Sequence, residues 1–374
     1  MNGFIGTLYV SICGTSLLTN STDRETRRFL VDTANCSDEE LSNEDRRKIE
    51  SRMADQVAVL NGSNLHDVRQ LSAEFNTILG AYEERIPVGG QDVHILLHTD
   101  TFQGRLVAEA LCDWLQAKKL NAQIQRVENL TTKSVNAFSD GVSWLIQWCE
   151  ATLPGYRESK FQIVFNLTGG FKSLQGFMQT LGMIYGDELI YVFETGGELL
   201  RIPRLPLQFE ESVGQSVRQH LQIFRRLQLS SANVSWSDCQ GIPETFLYRV
   251  ADMVELSPWG KLVWERHRKE IYRESVLAFL SPKIVISSEV SKTIASFSSE
   301  EKCTFNERMD DLAEYLESDR KACLKRLDFK QLRGDPLPPS SHECDLWADR
   351  GAWRAFGHFE RETFVIDRVG PGLH

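Results

Sequence analysis

The feature that most constrains the fold is an alternation of short apolar runs with helical patterns through the first 205 residues. Three of the runs, at residues 4–12, 93–98 and 161–167, are almost entirely apolar and are bounded by polar or glycine-containing loops. This pattern is typical of central parallel strands, which are buried on both faces. Strands that alternate with helices predict an α/β domain over residues 1–205, with a Rossmann-like, mainly parallel sheet.

The rest of the chain changes pattern twice. Residues 206–281 have helical periodicity, which predicts a helical connector with two helices over 243–280. Residues 282–374 open with a short apolar run, continue with helical patterns and finish with three strand-like runs between about 343 and 369. That order predicts a separate α+β domain with an antiparallel sheet.

Composition narrows the class of protein. The formal net charge is −10, which argues against a protein that coats nucleic acid nonspecifically and leaves room only for a focused basic site. No run of about 18 apolar residues is present, so no membrane span is expected. The eight cysteines are scattered without a CxxC pair. We therefore expect free thiols, no metal site and a cytoplasmic location.

Three of the predicted strands end in loops suited to binding phosphate. They are Cys13–Asn20, His98–Thr101 and Asn166–Lys172, and they are rich in glycine and hydroxyl side chains. Glycines let backbone N–H groups approach an anion, and the helix after the third loop offers its positive end. Neither a Walker A motif nor a GxGxxG motif occurs, which removes the two commonest nucleotide-binding loops.

The first and third loops carry a specific resemblance. The run GTSLLTN after the first strand and the run NLTGGFK after a strand about 150 residues later resemble the CARF domain of CRISPR-associated proteins. This resemblance implies a homodimer that binds a cyclic oligoadenylate across its two-fold axis, with cyclic tetra-adenylate the expected activator and no other cofactor. Residues of the first and third loops are implied to bind the ring, and two residues of the intervening loop are added to them. The predicted ligand-binding residues are Gly14, Thr15, Ser16, Thr19, Asn20, Thr99, Asp100, Asn166, Thr168, Gly169, Gly170 and Lys172.

The C-terminal region resembles the RelE toxin family. The residues that carry the resemblance are Leu332–Pro336, Arg350–Phe356 and Phe364–Gly370, in the family's order of strand, helices and antiparallel sheet. The resemblance implies a metal-independent endoribonuclease that cleaves messenger RNA in the ribosomal A site. Such an enzyme needs cationic side chains that orient the 2′-hydroxyl and stabilise charge in the transition state.

Four residues are the catalytic candidates in this region. Arg354 matches the family's central arginine, and a period of two places it on the same strand face as His358. Arg350 and Arg368 would supply further positive charge. His358 is a candidate general acid or base, because imidazole titrates near neutral pH.

The chain departs from the family at several positions. Asp345 and Trp347 stand where related enzymes often carry lysines, and the family's second arginine falls near Pro371 and Gly372. The family's last helix has no counterpart before His374. Either Arg350, Arg368, His358 and His374 replace the missing groups, or the domain is a weak or dead nuclease.

Together these features predict an antiviral effector in which the ring activates cleavage of translated messenger RNA. Since an acidic protein needs help to find the ribosome, docking through the flexible ribosomal stalk is the expected route. Two alternatives stay open. In one, residues 207–281 form a winged-helix DNA-binding module of a transcriptional regulator, with Arg266–Lys269 as its basic segment. In the other, the protein is a ring nuclease that degrades the ring with Ser16 and Lys172.

Overall fold

The fold comes from a computed structural model. It describes residues 3–87, 89–193, 197–206, 210–229, 233–250, 253–318, 326–334, 336–348 and 351–373. The chain divides into two compact units, Met1–Gln208 and Phe209–His374. The α/β class predicted for the first region and the largely antiparallel sheet predicted for the last are both confirmed.

The first unit is built on a six-stranded sheet with the order β3-β2-β1-β4-β5-β6. All neighbouring pairs are parallel except β5 and β6, which form an antiparallel hairpin. The central strands are almost entirely buried, which explains their continuous apolar runs. The strands are β1 (Gly6–Ile12), β2 (Val93–His98), β3 (Asn121–Arg126), β4 (Phe161–Asn166), β5 (Glu188–Val192) and β6 (Leu199–Pro203).

Eight helices accompany this sheet in the described residues. One large apolar cluster packs helices on β2, with Ile49, Phe75, Leu96 and Leu111 among its members. The helices are α1 (Ser16–Thr19), α2 (Arg24–Asp32), α3 (Asn43–Gly62), α4 (Leu65–Leu71), α5 (Ala73–Ala81), α6 (Phe102–Ala117), α7 (Val135–Glu158) and α8 (Lys172–Tyr185).

The helical pattern of residues 64–84 in the sequence is divided between two helices, α4 and α5. Ser72 has extended backbone angles and its side chain accepts a hydrogen bond from the Phe75 amide, so it caps α5 and ends the helical path from α4. This break positions the first turn of α5 beside the loop that follows β1.

The second unit begins with helices and a short hairpin. Helices α9 (Glu211–Gln219) and α10 (Leu221–Leu227) are followed by strands β7 (Leu247–Val250) and β8 (Met253–Leu256), and then by helix α11 (Pro258–Glu274). The prediction of two helices over 243–280 is therefore wrong, and the connector is not wholly helical. Val254 and Leu256 are buried while Glu255 between them is exposed, and this alternation is that of a strand.

A five-stranded sheet completes the second unit, in the order β10-β11-β12-β13-β9. Its pairs are antiparallel except that of β13 with β9, which is parallel. Helix α13 packs on β11 in an apolar core that includes Phe305, Leu312, Leu346 and Ala355. The elements are β9 (Ile284–Ile286), α12 (Ser288–Ala295), α13 (Ser299–Glu317), β10 (Lys330–Gln331), β11 (His342–Trp347), β12 (Trp353–Glu360) and β13 (Thr363–Pro371).

A buried polar cluster joins the connector helices to α13 within this unit. Arg225 of α10 is fully buried and donates to Asp310 of α13, with its Nη2 atom 2.5 Å from Oδ1. Tyr272 of α11 donates to the same carboxylate. Gln228 adds a further donor at 3.0 Å. Helices α10, α11 and α13 therefore meet at the Asp310 carboxylate. Because α13 also packs on the sheet, the interior of the connector is continuous with that of the sheet.

Membrane-spanning helices and disulfide bonds are absent from the described ranges. The helices found there include none that is both long enough and apolar enough to cross a membrane. The seven cysteines within those ranges are free, and all but Cys36 are buried, in agreement with the expectation of free thiols.

Candidate functional site

In the first unit the strand order reverses between β1 and β4, and we call the edge of the sheet where the loops after these two strands meet the crevice. From β1 the chain continues to β2 on one side, whereas β4 and β5 lie on the other, and ligands of open α/β sheets bind at such a point. The loops after β1 and β4 touch there, since a methyl group on Gly14 would lie 3.0 Å from the Gly170 nitrogen. The two predicted loops are therefore brought together.

Glycine is required at two positions of the β4 loop. Gly170 has a φ of +83°, which disfavours any side chain. A methyl group on Gly169 would lie 2.4 Å from the Ile12 carbonyl oxygen and 2.4 Å from Glu74 Oε1. The TGG motif is thus explained by close backbone packing in the crevice.

A buried glutamate that the sequence did not reveal lies beneath the crevice. Glu74, in the first turn of α5, has 0% exposure. Its Oε1 accepts from the Gly14 amide at 2.7 Å, and its Oε2 accepts from the Ser16 hydroxyl at 3.2 Å. The Ser16 hydroxyl also accepts from the Ala73 amide at 3.0 Å. Two of the groups predicted to bind phosphate are therefore already bonded to a carboxylate.

Asn166 and Thr168 shape the β4 loop from within. The Asn166 side chain is buried, donates to Ser11 Oγ at 3.2 Å and accepts from the Thr168 amide at 3.0 Å. The Thr168 hydroxyl oxygen accepts from the Val192 amide at 3.0 Å and from the Thr77 hydroxyl. Both side chains therefore hold the loop in place, whereas the sequence predicted that they face phosphate.

The β1 loop is held in a similar way at its far end. The Thr19 hydroxyl donates to the Thr15 carbonyl at 3.1 Å, and the Asn20 side chain donates to the Leu71 carbonyl at 3.2 Å. Thr15 precedes α1 and makes no side-chain cap, so its hydroxyl is the one better placed to meet a ligand.

The start of α8 is the most open anion-binding feature of the crevice. Its N-cap residue, Phe171, makes no side-chain cap, and the first turn has no acidic residue. Lys172 and Ser173 there are exposed. Free amides at a helix N-terminus, together with a lysine charge, suit a phosphate group.

Thr99 and Asp100 belong to a different cavity. It has a volume of about 70 Å³ and lies at the carboxyl end of β2, where His98, Arg105 and Arg126 also line it. Thr99 is buried and shares a hydrogen bond with Thr101 at 2.9 Å, and burial lowers the pKa of His98. The three basic residues of this cavity were not among the predicted binding residues.

In the second unit, Arg354 is paired with two carboxylates of the neighbouring strand β11. It donates to Glu343, and its Nε atom lies 3.2 Å from Asp345 Oδ1. Only 14% of the side chain is exposed. The charge of the residue predicted to be the central catalytic arginine is therefore largely balanced by carboxylates.

His358 forms the clearest acid–base arrangement. Its Nδ1 atom lies 2.9 Å from Asp367 Oδ2, and its Nε2 atom lies 3.4 Å from Glu360 Oε1. The hydrogen bond with Asp367 raises the pKa of His358 above its ordinary value, although burial opposes it slightly. Ser340 donates to the same Asp367 oxygen at 2.8 Å. Asp367 thus orients the imidazole, as a carboxylate does in many general acid–base pairs.

A register shift explains why Asp367 was missed. Phe356 pairs with Arg368 but the next residue, Gly357, pairs with Ile366, so Asp367 is an extra residue in β13. Such a bulge re-aims side chains, and simple alternation along the sequence does not reveal it. Arg368 is exposed, and Arg350 lies outside the described residues.

The described residues contain no cluster of three or more His, Cys, Asp or Glu side chains able to hold a metal ion.

A match to a known protein family lies within the first unit. Residues 69–205 match a family described as CRISPR-associated protein (Cas_APE2256). This stretch holds β2 to β6, Glu74 and the whole β4 loop. The first unit is therefore similar to a CRISPR-associated family over less than half of the chain.

A solved structure is also similar, that of Can2 from Sulfobacillus thermosulfidooxidans in complex with cyclic tetra-adenylate (cA4). The match has 10% sequence identity and a TM-score of 0.23, and it covers 72% of this chain and 66% of that chain. This chain thus spans slightly less than two thirds of the length of Can2.

Proposed function

We propose that this protein is a CRISPR-associated effector in which a cyclic oligoadenylate, bound by the first unit, activates a ribosome-dependent endoribonuclease in the second. The observation that carries the proposal is the crevice between β1 and β4. It combines the two closely packed glycine loops with the uncapped start of α8 and Lys172, within or beside the stretch that matches the CRISPR-associated family.

The ligand class follows from the chemistry of the crevice. The uncapped start of α8 and its lysine favour a phosphate. Cyclic tetra-adenylate is the proposed ring, on the resemblance of the GTSLLTN and NLTGGFK runs to the CARF domain. A two-fold symmetric ring is best matched by a symmetric pair of crevices, so we propose a homodimer.

The proposed nuclease chemistry rests on His358. The 2′-hydroxyl loses its proton to water as its oxygen attacks the adjacent phosphorus, while the bond from phosphorus to the 5′-oxygen breaks and leaves a 2′,3′-cyclic phosphate. Because Asp367 raises the pKa of His358, the imidazole is suited to hold a proton and deliver it to the leaving 5′-oxygen. Arg368 is exposed and available to a phosphate. Arg354 has to release Glu343 or Asp345 and bind an RNA phosphate before it can stabilise the transition state.

The ribosome is the proposed partner because of the overall charge. A chain with a net charge of −10 gains little from general attraction to RNA. Recruitment through a ribosomal protein, with the stalk as the proposed contact, would bring the C-terminal sheet to the messenger RNA. A pull-down from lysate that recovers no ribosomal protein would contradict this route.

The test is an incubation with translating ribosomes, with and without cyclic tetra-adenylate, followed by mapping of the cuts in the message. We expect ring-dependent cuts in the A-site codon. His358→Gln should slow cutting by about 10² to 10⁴-fold, the usual contribution of a general acid. Arg354→Ala should slow it by on the order of 10²-fold. Lys292→Ala, which removes one exposed charge from α12, is the matched control and should cut at the normal rate.

The regulator remains the second candidate, because the hairpin β7–β8 lies between helices of the connector as a winged-helix module would require. The basic segment Arg266–Lys269 is partly neutralised, because Arg268 pairs with Glu265 at 2.9 Å and with Glu307 at 3.6 Å. Intact messages together with ring-controlled binding of promoter DNA would favour this candidate. Intact messages with a degraded ring would favour the ring nuclease.

A further inference from the structure

Glu74 is an unusual group to find beneath a phosphate-binding crevice. Its carboxylate is fully buried, and it accepts from the Gly14 amide at 2.7 Å and from the Ser16 hydroxyl at 3.2 Å. A methyl group on Gly169 would lie 2.4 Å from its Oε1 atom, so the β4 loop also lies directly against it. One carboxylate therefore contacts both loops of the crevice.

The Glu74 carboxylate has no counter-ion in the part of the chain that the structure describes. Among the described residues, Glu74 makes hydrogen bonds with uncharged donors only, and it forms no ion pair with Lys, Arg or His in that part of the chain. The first turn of α5 offers partial compensation, because a carboxylate is favoured near a helix N-terminus. Its field reaches the loop, since Glu74 adds to the effect of burial in raising the pKa of Cys13.

These contacts have two effects on an incoming phosphate. The Gly14 amide and the Ser16 hydroxyl proton, which a phosphate would otherwise use, are already taken. In addition, the negative charge of the buried Glu74 carboxylate repels a phosphate, and more strongly through the protein interior than through water. The remaining donors are the Thr15 hydroxyl and the start of α8.

We propose that Glu74 determines both the affinity and the orientation of the ligand. It competes internally for the donors of the β1 loop, directs the phosphates of the ring toward Lys172 and the start of α8, and sets the ring concentration at which the sensor fills. This inference rests on the proposed function, because it takes a cyclic oligoadenylate as the ligand of the crevice.

The direct test is Glu74→Gln. Glutamine has nearly the same volume, and its oxygen still accepts from the Gly14 amide. Its NH2 group donates to the Ser16 oxygen, so the hydroxyl proton becomes available to a phosphate and the negative charge is gone. We expect the Kd for cyclic tetra-adenylate, measured by calorimetry, to fall by on the order of tenfold.

Glu158→Gln is the matched control. It removes the same charge from an exposed residue just before β4, at the opposite edge of the sheet, and its Kd should equal that of the native protein. The inference is overturned if Glu74→Gln has a native circular dichroism spectrum and urea midpoint but an unchanged or raised Kd. Binding of the ring by the native protein would still support the proposed function in that case. If no cyclic oligoadenylate binds to the native protein or to Glu74→Gln, the proposed function fails and this inference with it.

A second variant keeps the inference testable if Glu74→Gln does not fold. In Ser16→Ala the carboxylate stays, and only the hydroxyl that it holds is removed. Because that proton points to Glu74 rather than to the ligand, we expect the Kd for cyclic tetra-adenylate to rise by less than about threefold. A rise of tenfold or more, the usual cost of a lost hydrogen bond to a charged group, would mean that Ser16 donates to the phosphate and would overturn the inference.

Discussion

At the scale of single residues, two arginines of the second unit are paired with carboxylates of neighbouring elements. Arg354 is balanced by Glu343 and Asp345, and the fully buried Arg225 is balanced by Asp310. An ion pair in the interior gains little net stability over an apolar pair, but loss of one partner leaves an uncompensated charge. Removal of such a residue should therefore cost far more than removal of an exposed one.

Arg225→Ala should lower the free energy of unfolding of the second unit by about 3–5 kcal/mol. The variant leaves Asp310 buried without its cation and also frees the Ala278 carbonyl, which accepts from Arg225 at 2.7 Å. Urea denaturation followed by tryptophan fluorescence measures the loss. The control is Arg218→Ala, because Arg218 pairs with Glu274 at 2.8 Å in an exposed position, where a pair contributes less than about 1 kcal/mol. Similar losses in the two variants would contradict the interpretation.

His358 should make stability depend on pH. Since Asp367 raises the pKa of His358 in the folded protein, the charged pair stabilises the fold fully below the unfolded pKa of about 6.5. The contribution disappears as the pH rises through the higher folded pKa. Urea midpoints of the native protein and of His358→Gln should therefore differ most at acidic pH and converge at alkaline pH. A difference that does not change with pH would show that the pair is not charged.

At the scale of helices and strands, close packing determines which side chains a position tolerates. The periodicity of the sequence does not show this. Helix α7 crosses the loop before it at Gly141, where a methyl group would lie 2.6 Å from Leu130 Cα. The same helix carries Gly155 near its end, where nothing lies within 4 Å. Two glycines that look alike in the sequence therefore have opposite roles.

Gly141→Ala and Gly155→Ala form a matched pair within α7. The first should destabilise the protein by about 1–3 kcal/mol or more, because the backbone of the loop has to move. The second should stabilise it by up to about 1 kcal/mol, because alanine favours a helix. Thermal denaturation of both variants gives the two shifts. If Gly141→Ala is neutral, the helix and the loop are not in close contact.

The parts of the fold that were predictable are those set by local patterns. Strands β1, β2 and β4 were predicted to within two residues, because buried strands need continuous apolar runs. The hairpin β7–β8 was missed because its strands have only four residues each. Glu74 was not predictable, since its partners Gly14 and Ser16 are about 60 residues away in the sequence. The pairing of Asp367 with His358 depends on a bulge that alternation does not show.

At the scale of the whole molecule, the net negative charge weakens general attraction to RNA. Action on messenger RNA would therefore need a specific recruiting partner. The formal net charge is −10, and the polar face of the C-terminal sheet carries Glu343, Asp345, Glu360 and Asp367 beside its basic residues. Such a surface repels free polyanions at distances up to the Debye length.

We therefore expect no saturable binding of a generic single-stranded RNA at an ionic strength of about 0.15 M. A filter-binding titration of the protein against a labelled oligonucleotide tests this, and cyclic tetra-adenylate in the same buffer is the positive control for folded protein. Tight binding that weakens steeply with added salt would reveal an extended phosphate-binding surface and would remove the need for a recruiting partner.

The parallel pairing of β9 with β13 also has a consequence for biosynthesis. Ile284 pairs with Phe364, and the Ser287 hydroxyl donates to the Asp367 carbonyl oxygen 80 residues further along the chain. During translation, β9 leaves the ribosome long before its partner has been made, and contacts between distant segments form slowly. His358 and Asp367 meet only when β13 is in place, so the acid–base pair forms late in the assembly of this sheet, after β12 and β13 have paired.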